Sequence, residues 1–279
     1  MIDAPRTVIF VHGVQWERNA ILKGYSTPLA DGIQRQAPST RFRFKEVLWS
    51  DVVEGTERAI IQAGTLISVI DSPTLKEVAW RLLQQMFGRM HLPLAESGKE
   101  ALFTKKISEQ VAGGDDLKAK AFSAILDILL YESGAFKTPI QQTVIDALDG
   151  CRGEAAPVLF GHSLGSVIAF DVVKRKASGL KRPPVFGLVT AGSPLGVLKR
   201  SPTSPKSFSD VLKKKIDWIN FYDADDFLAF WNPLRKFGYA GYVRDHTINP
   251  SEIPFYSHIK YWDNSEIARE LADLATTGE

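Results

Sequence analysis

Ser163 has the setting of a reactive side chain. It stands at the centre of Gly161-His162-Ser163-Leu164-Gly165, a match to Gly-x-Ser-x-Gly. Chance would put about 0.1 such matches in a chain of this composition, so the pentapeptide takes its weight from its neighbours. Val158-Leu159-Phe160 precede it as a strand-length apolar run, and Val167, Ile168, Phe170, Val172 and Val173 follow in a helix-like pattern. A serine on a tight strand-to-helix turn has its hydroxyl thrust above the carboxyl edge of a sheet. The flanking glycines let neighbouring backbone come close. The first amides of the helix beneath are unpaired and carry the positive end of the helix dipole, which suits a developing oxyanion. The chemistry implied is nucleophilic attack on an acyl carbon; an ordinary glycine-rich turn is the alternative.

A serine hydroxyl needs a base to take its proton. Five histidines are available: His12, His91, His162, His246 and His258. His162 adjoins the serine and is expected to point away from it, and His91, near Pro93, has no motif around it. His246 and His258 remain as candidate bases. Three acids that could orient an imidazole, Asp223, Asp225 and Asp226, crowd one short stretch, and at least two of them must be ordinary loop carboxylates. Cys151, the one cysteine, sits in Gly150-Cys151-Arg152-Gly153 without a cysteine-hydrolase signature, and a structural role is expected for it.

With these residues in place, the chain resembles the α/β-hydrolase superfamily, specifically its lipase/esterase branch, over residues 7–49 and 157–275. In that family the first core strand ends in His-Gly, as Val11-His12-Gly13 does here. The resemblance implies an oxyanion hole made by the N–H groups of Val14 and Leu164, with His12 and Gly13 supporting it. It implies His258 as the base, because Tyr256-Ser257-His258-Ile259-Lys260-Tyr261-Trp262 is similar to phospholipase and lipid-deacylase members with His, two residues, then Tyr-Trp. It implies Asp226 as the acid. The family carries a small-apolar pair after that Asp, commonly Pro-Val, whereas Phe227-Leu228 follow here, so Asp225 stays a rival. The order Ser163, Asp226, His258 is the order the fold carries. Thr190-Ala191-Gly192-Ser193-Pro194-Leu195 resembles a further lipase segment, in which Ser193 is read as a wall of the site.

The elements that must position these residues follow from apolar periodicity. Val8-Ile9-Phe10-Val11 predicts a buried strand, residues 28–36 a helix opened by Pro28, and residues 41–49 the next strand. Strands are expected again at 158–160, 185–190 and 216–222, with helices at 164–176 and 266–275. Such alternation implies an α/β fold: a mostly parallel sheet with helices on both faces. Residues 51–150 differ. Leu75, Val78, Ala79, Leu82, Leu83 and Met86 keep helical spacing, as do Ala121, Ile125, Ile128 and Leu129. The expected organisation is a hydrolase-like core of residues 1–50 and 151–279, interrupted by a helical cap or lid at 51–150.

Composition bounds the rest. The chain has 279 residues, 44% hydrophobic and 24% charged, which excludes wholesale disorder. A net charge of +2 argues against nucleic acid as the main partner. The basic runs Lys174-Arg175-Lys176 and Lys213-Lys214-Lys215 read as solvated surface, with peripheral contact to an anionic membrane as the weaker reading. No signal peptide or membrane-spanning run is visible, and a cytoplasmic location is expected. No metal or cofactor is implied. The apolar cap faces and Phe227, Phe230 and Trp231 favour a lipidic or otherwise apolar small-molecule ester as substrate; oligomeric state is left open. A thioesterase or acyltransferase would use the same triad. A non-catalytic ligand-binding protein on the same fold is the alternative of a different class.

Overall fold

The apolar run before His12 becomes β1 (Arg6–Val11), whose last five residues are all buried. A strand covered on both faces has no polar side to keep, which is why it reads as one continuous apolar run. It is joined by β2 (Phe42–Val47), β3 (Val158–His162), β4 (Gly187–Ala191), β5 (Asp217–Asp223) and β6 (Arg244–Ile248). The described residues thus form a six-stranded sheet of order β2-β1-β3-β4-β5-β6, with every neighbouring pair parallel. The structure is a computed structural model, and it describes residues 6–13, 24–52, 124, 127–134, 136–177, 184–198, 210, 212–213, 216–226, 229, 233–248, 257–258 and 260–277.

The fold class follows: an α/β protein with helices packed on its sheet. From β1 the chain passes through α1 (Thr27–Gln36) to β2 at one edge. It comes back through α2 (Lys137–Asp149) to β3 on the other side of β1, then passes through α3 (Leu164–Ala177) to β4. Right-handed crossovers running in opposite directions put α1 and α3 on opposite faces. Alternating side chains meet them. Val8, Phe10, Val158 and Phe160 share a core with Leu29 and Ile33 of α1 and with Ile267 and Leu271 of α4 (Ser265–Thr277). Trp218, one place out of phase with Ile219 and Phe221, packs instead on Phe170 of α3, ring centres 5.3 Å apart. Asn264 caps α4 by accepting the N–H groups of Glu266 (2.9 Å) and Ile267 (3.1 Å).

The reversal between β1 and β3 decides where a site can form. In an open parallel sheet, a reversal of this kind is where a crevice forms at the carboxyl ends of the strands. His12 and Gly13 leave β1 there, and Ser163 leaves β3 there.

Some boundaries differ from those expected. The strand expected over 41–49 ends at Val47, and Trp49–Val52 turns as a short 3-10 helix. The strand expected at 185–190 runs Gly187–Ala191. β6 has the sequence Arg-Asp-His-Thr-Ile, too polar and too exposed at the sheet edge to announce itself by an apolar run.

The chain divides into two compact units, described residues 6–13, 24–49 and 141–277 in the first and 50–52 and 124–140 in the second. In the second unit residues 127–133 are helical wherever described, and the Lys137 ammonium lies 5.1 Å from the centre of the Tyr131 ring. The helical spacing read from Leu75 to Met86 lies outside the described residues, as do Ala121 and Ile125. No helix among the described residues is long and apolar enough to cross a membrane.

Candidate active site

Ser163 has a φ of +52°, the one positive value of a non-glycine residue among those described. A side chain in this region costs about 1 kcal/mol, so the surroundings must hold it there. Ser163 N–H donates to the Ala191 carbonyl at 2.9 Å, which ties the turn to the end of β4. Its own carbonyl accepts from Ser166 N–H at 3.0 Å and from the Ser166 hydroxyl at 2.5 Å. The two glycines are where close approach demands them. A Cβ at Gly161 would lie 2.7 Å from the Gly165 carbonyl oxygen, and one at Gly165 would run into the carbonyl oxygens of Val11 and His12. The serine is buried, and its Oγ makes no hydrogen bond to any described residue.

His258 and Asp226 are both fully buried, with His258 Nδ1 2.9 Å from each carboxylate oxygen. A carboxylate at neutral pH can only accept, so Nδ1 carries the hydrogen and Nε2 of the neutral ring is the acceptor. His162, the residue before the serine, turns its ring toward His258, centres 4.7 Å apart. Its Nε2–H donates to the His258 carbonyl at 2.7 Å, so it holds the backbone of the neighbouring histidine. All these groups converge on the end of β4. A Cβ at Gly192 would stand 2.9 Å from Asp226 Oδ2 and 3.2 Å from His258 Cε1, and Gly192 follows the Ala191 that holds Ser163.

The structure separates the three acids. Asp223 ends β5 and builds a turn: its carbonyl accepts Asp226 N–H at 3.2 Å and its Oδ1 accepts Asp225 N–H at 2.8 Å. Burial pushes its carboxyl above the ordinary range, opposed by the Asp225 N–H and the Ser257 hydroxyl. Asp225 is half-buried, and Asp226 is the acid that meets an imidazole. Tyr261 completes this cluster. Its hydroxyl donates to Asp226 Oδ2 at 2.8 Å and accepts Asp223 N–H at 2.9 Å. Burial and the charge of Asp226 push the phenol well above its ordinary value, so it stays protonated.

The other candidates lie apart. His246 is on β6, against the Phe221 ring (5.2 Å) and 3.7 Å from Glu266. That is three strands from β3, about 14 Å at ordinary strand spacing, and so away from the serine. Cys151 follows α2 at the amino end of β3, the end opposite Ser163, and burial pushes its thiol up. Ser193 is engaged: its Oγ is 2.7 Å from Ser166 Oγ and accepts Leu195 N–H at 3.3 Å. His91, Phe227, Phe230 and Trp231 lie outside the described residues.

For the oxyanion, Leu164 N–H is the first amide of α3 and has no acceptor within the helix. Val14, the other expected donor, lies outside the described residues. The loop leading to it is pinned. The Trp49 indole N–H donates to the His12 carbonyl at 2.8 Å, and the two rings stack at 4.9 Å and 9°. Sequence reasoning missed Trp49, read only as a strand end, and Ser166. It met Tyr261 as part of a motif and gave it no task. Among the described residues no group of His, Cys, Asp and Glu is arranged to hold a metal ion. No family model, curated protein or solved structure matches the chain.

Proposed function

We infer that the chain is a serine hydrolase of the α/β-hydrolase fold that cleaves a carboxylic ester through an acyl-enzyme. The observation that carries this is that Ser163, held at φ +52° on a strand-to-helix turn, and a buried His258–Asp226 couple both lie at the Ala191-Gly192 end of β4. In this reading His258 Nε2 takes the Ser163 proton as Oγ bonds to the acyl carbon. Asp226 holds the imidazole in the tautomer whose Nε2 carries a lone pair, and stabilises the imidazolium that forms. The carbonyl oxygen becomes an oxyanion facing Leu164 N–H and, on the resemblance, Val14 N–H. One such donor contributes about 3 to 4 kcal/mol to the transition state. The imidazolium then protonates the leaving alcohol oxygen as its bond to carbon breaks. Water, deprotonated by the same Nε2, attacks the acyl-enzyme, and release of the acid restores Ser163.

The test is labelling with a fluorophosphonate, which reacts with an activated serine and ignores a merely exposed one. Wild type should label, while Ser163→Ala and His258→Ala should not, and a p-nitrophenyl ester series should then show turnover. Silence of the wild type, with and without detergent, would overturn the reading.

A further inference from the structure

Asp226 is fully buried, and a buried carboxylate is kept in place by the hydrogen bonds it receives. His258 Nδ1 lies 2.9 Å from both of its oxygens, a symmetry that leaves the carboxylate without a preferred orientation at that contact. Tyr261 breaks the symmetry. Its hydroxyl has one hydrogen, and because Asp223 N–H donates to the oxygen at 2.9 Å, that hydrogen turns to Asp226 Oδ2, 2.8 Å away. The ring has little room to move, since even a methyl on Gly192 would meet its Cε2 at 2.9 Å. Tyr261 stands three residues after His258, in the turn Lys260–Asp263 that opens into α4. One short segment therefore carries both the base and the group that grips the base's acid.

We propose that Tyr261 is a positioning residue: it clamps Asp226 and, by sharing the carboxylate's charge, sets the proton affinity of His258. The consequence for turnover rests on the serine-hydrolase reading; the consequence for the His258–Asp226 couple rests on geometry alone. Among the described residues, the groups facing His258 include Asp226, the ring of His162, and Tyr261 with Asp223 behind it. Of these, Tyr261 is the neutral hydroxyl donor that can be deleted without changing a charge. Tyr261→Phe keeps the ring and removes the donor. The carboxylate's charge then falls more fully on His258 Nδ1–H, and the imidazolium is favoured.

The experiment is an NMR titration of the full chain with 15N-labelled histidine, set beside the pH profile of ester hydrolysis. In Tyr261→Phe the His258 midpoint should rise by roughly one pH unit, with movement of its low-field Nδ1–H resonance. The acid limb of kcat/KM should follow, with kcat down about tenfold and KM within a factor of two. Ile267→Val, which thins the same core from α4, should leave the midpoint in place. An unmoved midpoint in Tyr261→Phe, or an equal shift in Ile267→Val, overturns the proposal. If Tyr261→Phe does not fold, 3-fluorotyrosine at position 261 is a stronger donor and should lower the midpoint; no change there overturns it too. The titration needs no turnover. An inert wild type with a movable midpoint defeats the hydrolase reading alone, and an active enzyme with a fixed midpoint defeats this one alone.

Discussion

Asp226→Asn separates the geometry of the proposed triad from the stability of the core. The hydrogen-bond donors facing the side chain at position 226 include Tyr261 O–H at Oδ2 and His258 Nδ1–H, 2.9 Å from both oxygens. An asparagine has one acceptor oxygen. Tyr261, whose hydroxyl also receives Asp223 N–H, cannot turn away, so the amide oxygen takes the Oδ2 position and the amide nitrogen takes Oδ1. An amide donor then stands 2.9 Å from Nδ1, beside a single oxygen at the same distance that is shared with Tyr261 O–H, so the original tautomer competes with the one whose hydrogen is on Nε2 and whose Nδ1 accepts from the amide. In that tautomer the ring presents a hydrogen toward the nucleophile instead of a lone pair. Lost proton transfer is worth about 100- to 10,000-fold, and inversion of the tautomer alone reaches about 10,000-fold in a serine protease. We expect kcat/KM on a p-nitrophenyl ester to fall by about 1,000-fold or more, some 4 kcal/mol in the barrier. Stability should move by no more than about 1 kcal/mol, because the change removes a buried charge as well as its pairing. Asp225→Asn is the matched control. Its side chain is half-buried, its backbone N–H serves the turn, and the imidazole of His258 meets Asp226 instead, so activity should stay within about twofold. Asp226→Asn within tenfold of wild type, or Asp225→Asn as damaged as Asp226→Asn, would refute the assignment.

Three further outcomes follow from the same geometry. Gly165→Ala drives a methyl into the carbonyl oxygens of Val11 and His12, where α3 lies against the end of β1, and should cost at least about 3 kcal/mol by urea unfolding or prevent folding. Ser163→Gly should be about 1 kcal/mol more stable than Ser163→Ala, since glycine relieves the φ of +52° and alanine keeps it; equal stabilities would show that the turn is unstrained. Asp223→Asn concerns pH: burial raises this carboxyl in the folded state, so the folded chain holds its proton more tightly, and stability falls as pH rises from the ordinary carboxylate range through the raised value. The asparagine keeps an oxygen for Asp225 N–H and has no proton to lose, so its advantage in urea midpoint should be present at pH 8 and vanish at pH 3.

Most of what positions the site was legible because it obeys short-range rules. A buried parallel strand has to be apolar throughout, so β1, β3 and β5 stood out, and the sharp turn after β3 needs glycines where α3 meets its neighbours, so Gly161 and Gly165 stood out too. What could not be read was set by neighbours distant in sequence. Asp223, Asp225 and Asp226 are the same residue type within four positions, and nothing local says that the first builds an Asx turn, the second stays half-buried and the third meets a histidine 32 residues on. The choice is made by Tyr261, because its hydroxyl reaches both the Asp223 amide and the Asp226 carboxylate and so fixes the turn and the acid together. His162 and Trp49 act in the same manner at other corners of the site, each through a hydrogen bond to a carbonyl oxygen, of His258 and of His12. A side chain whose task is to hold a carbonyl leaves no spacing in the sequence, because its partner is backbone and any residue type there would serve.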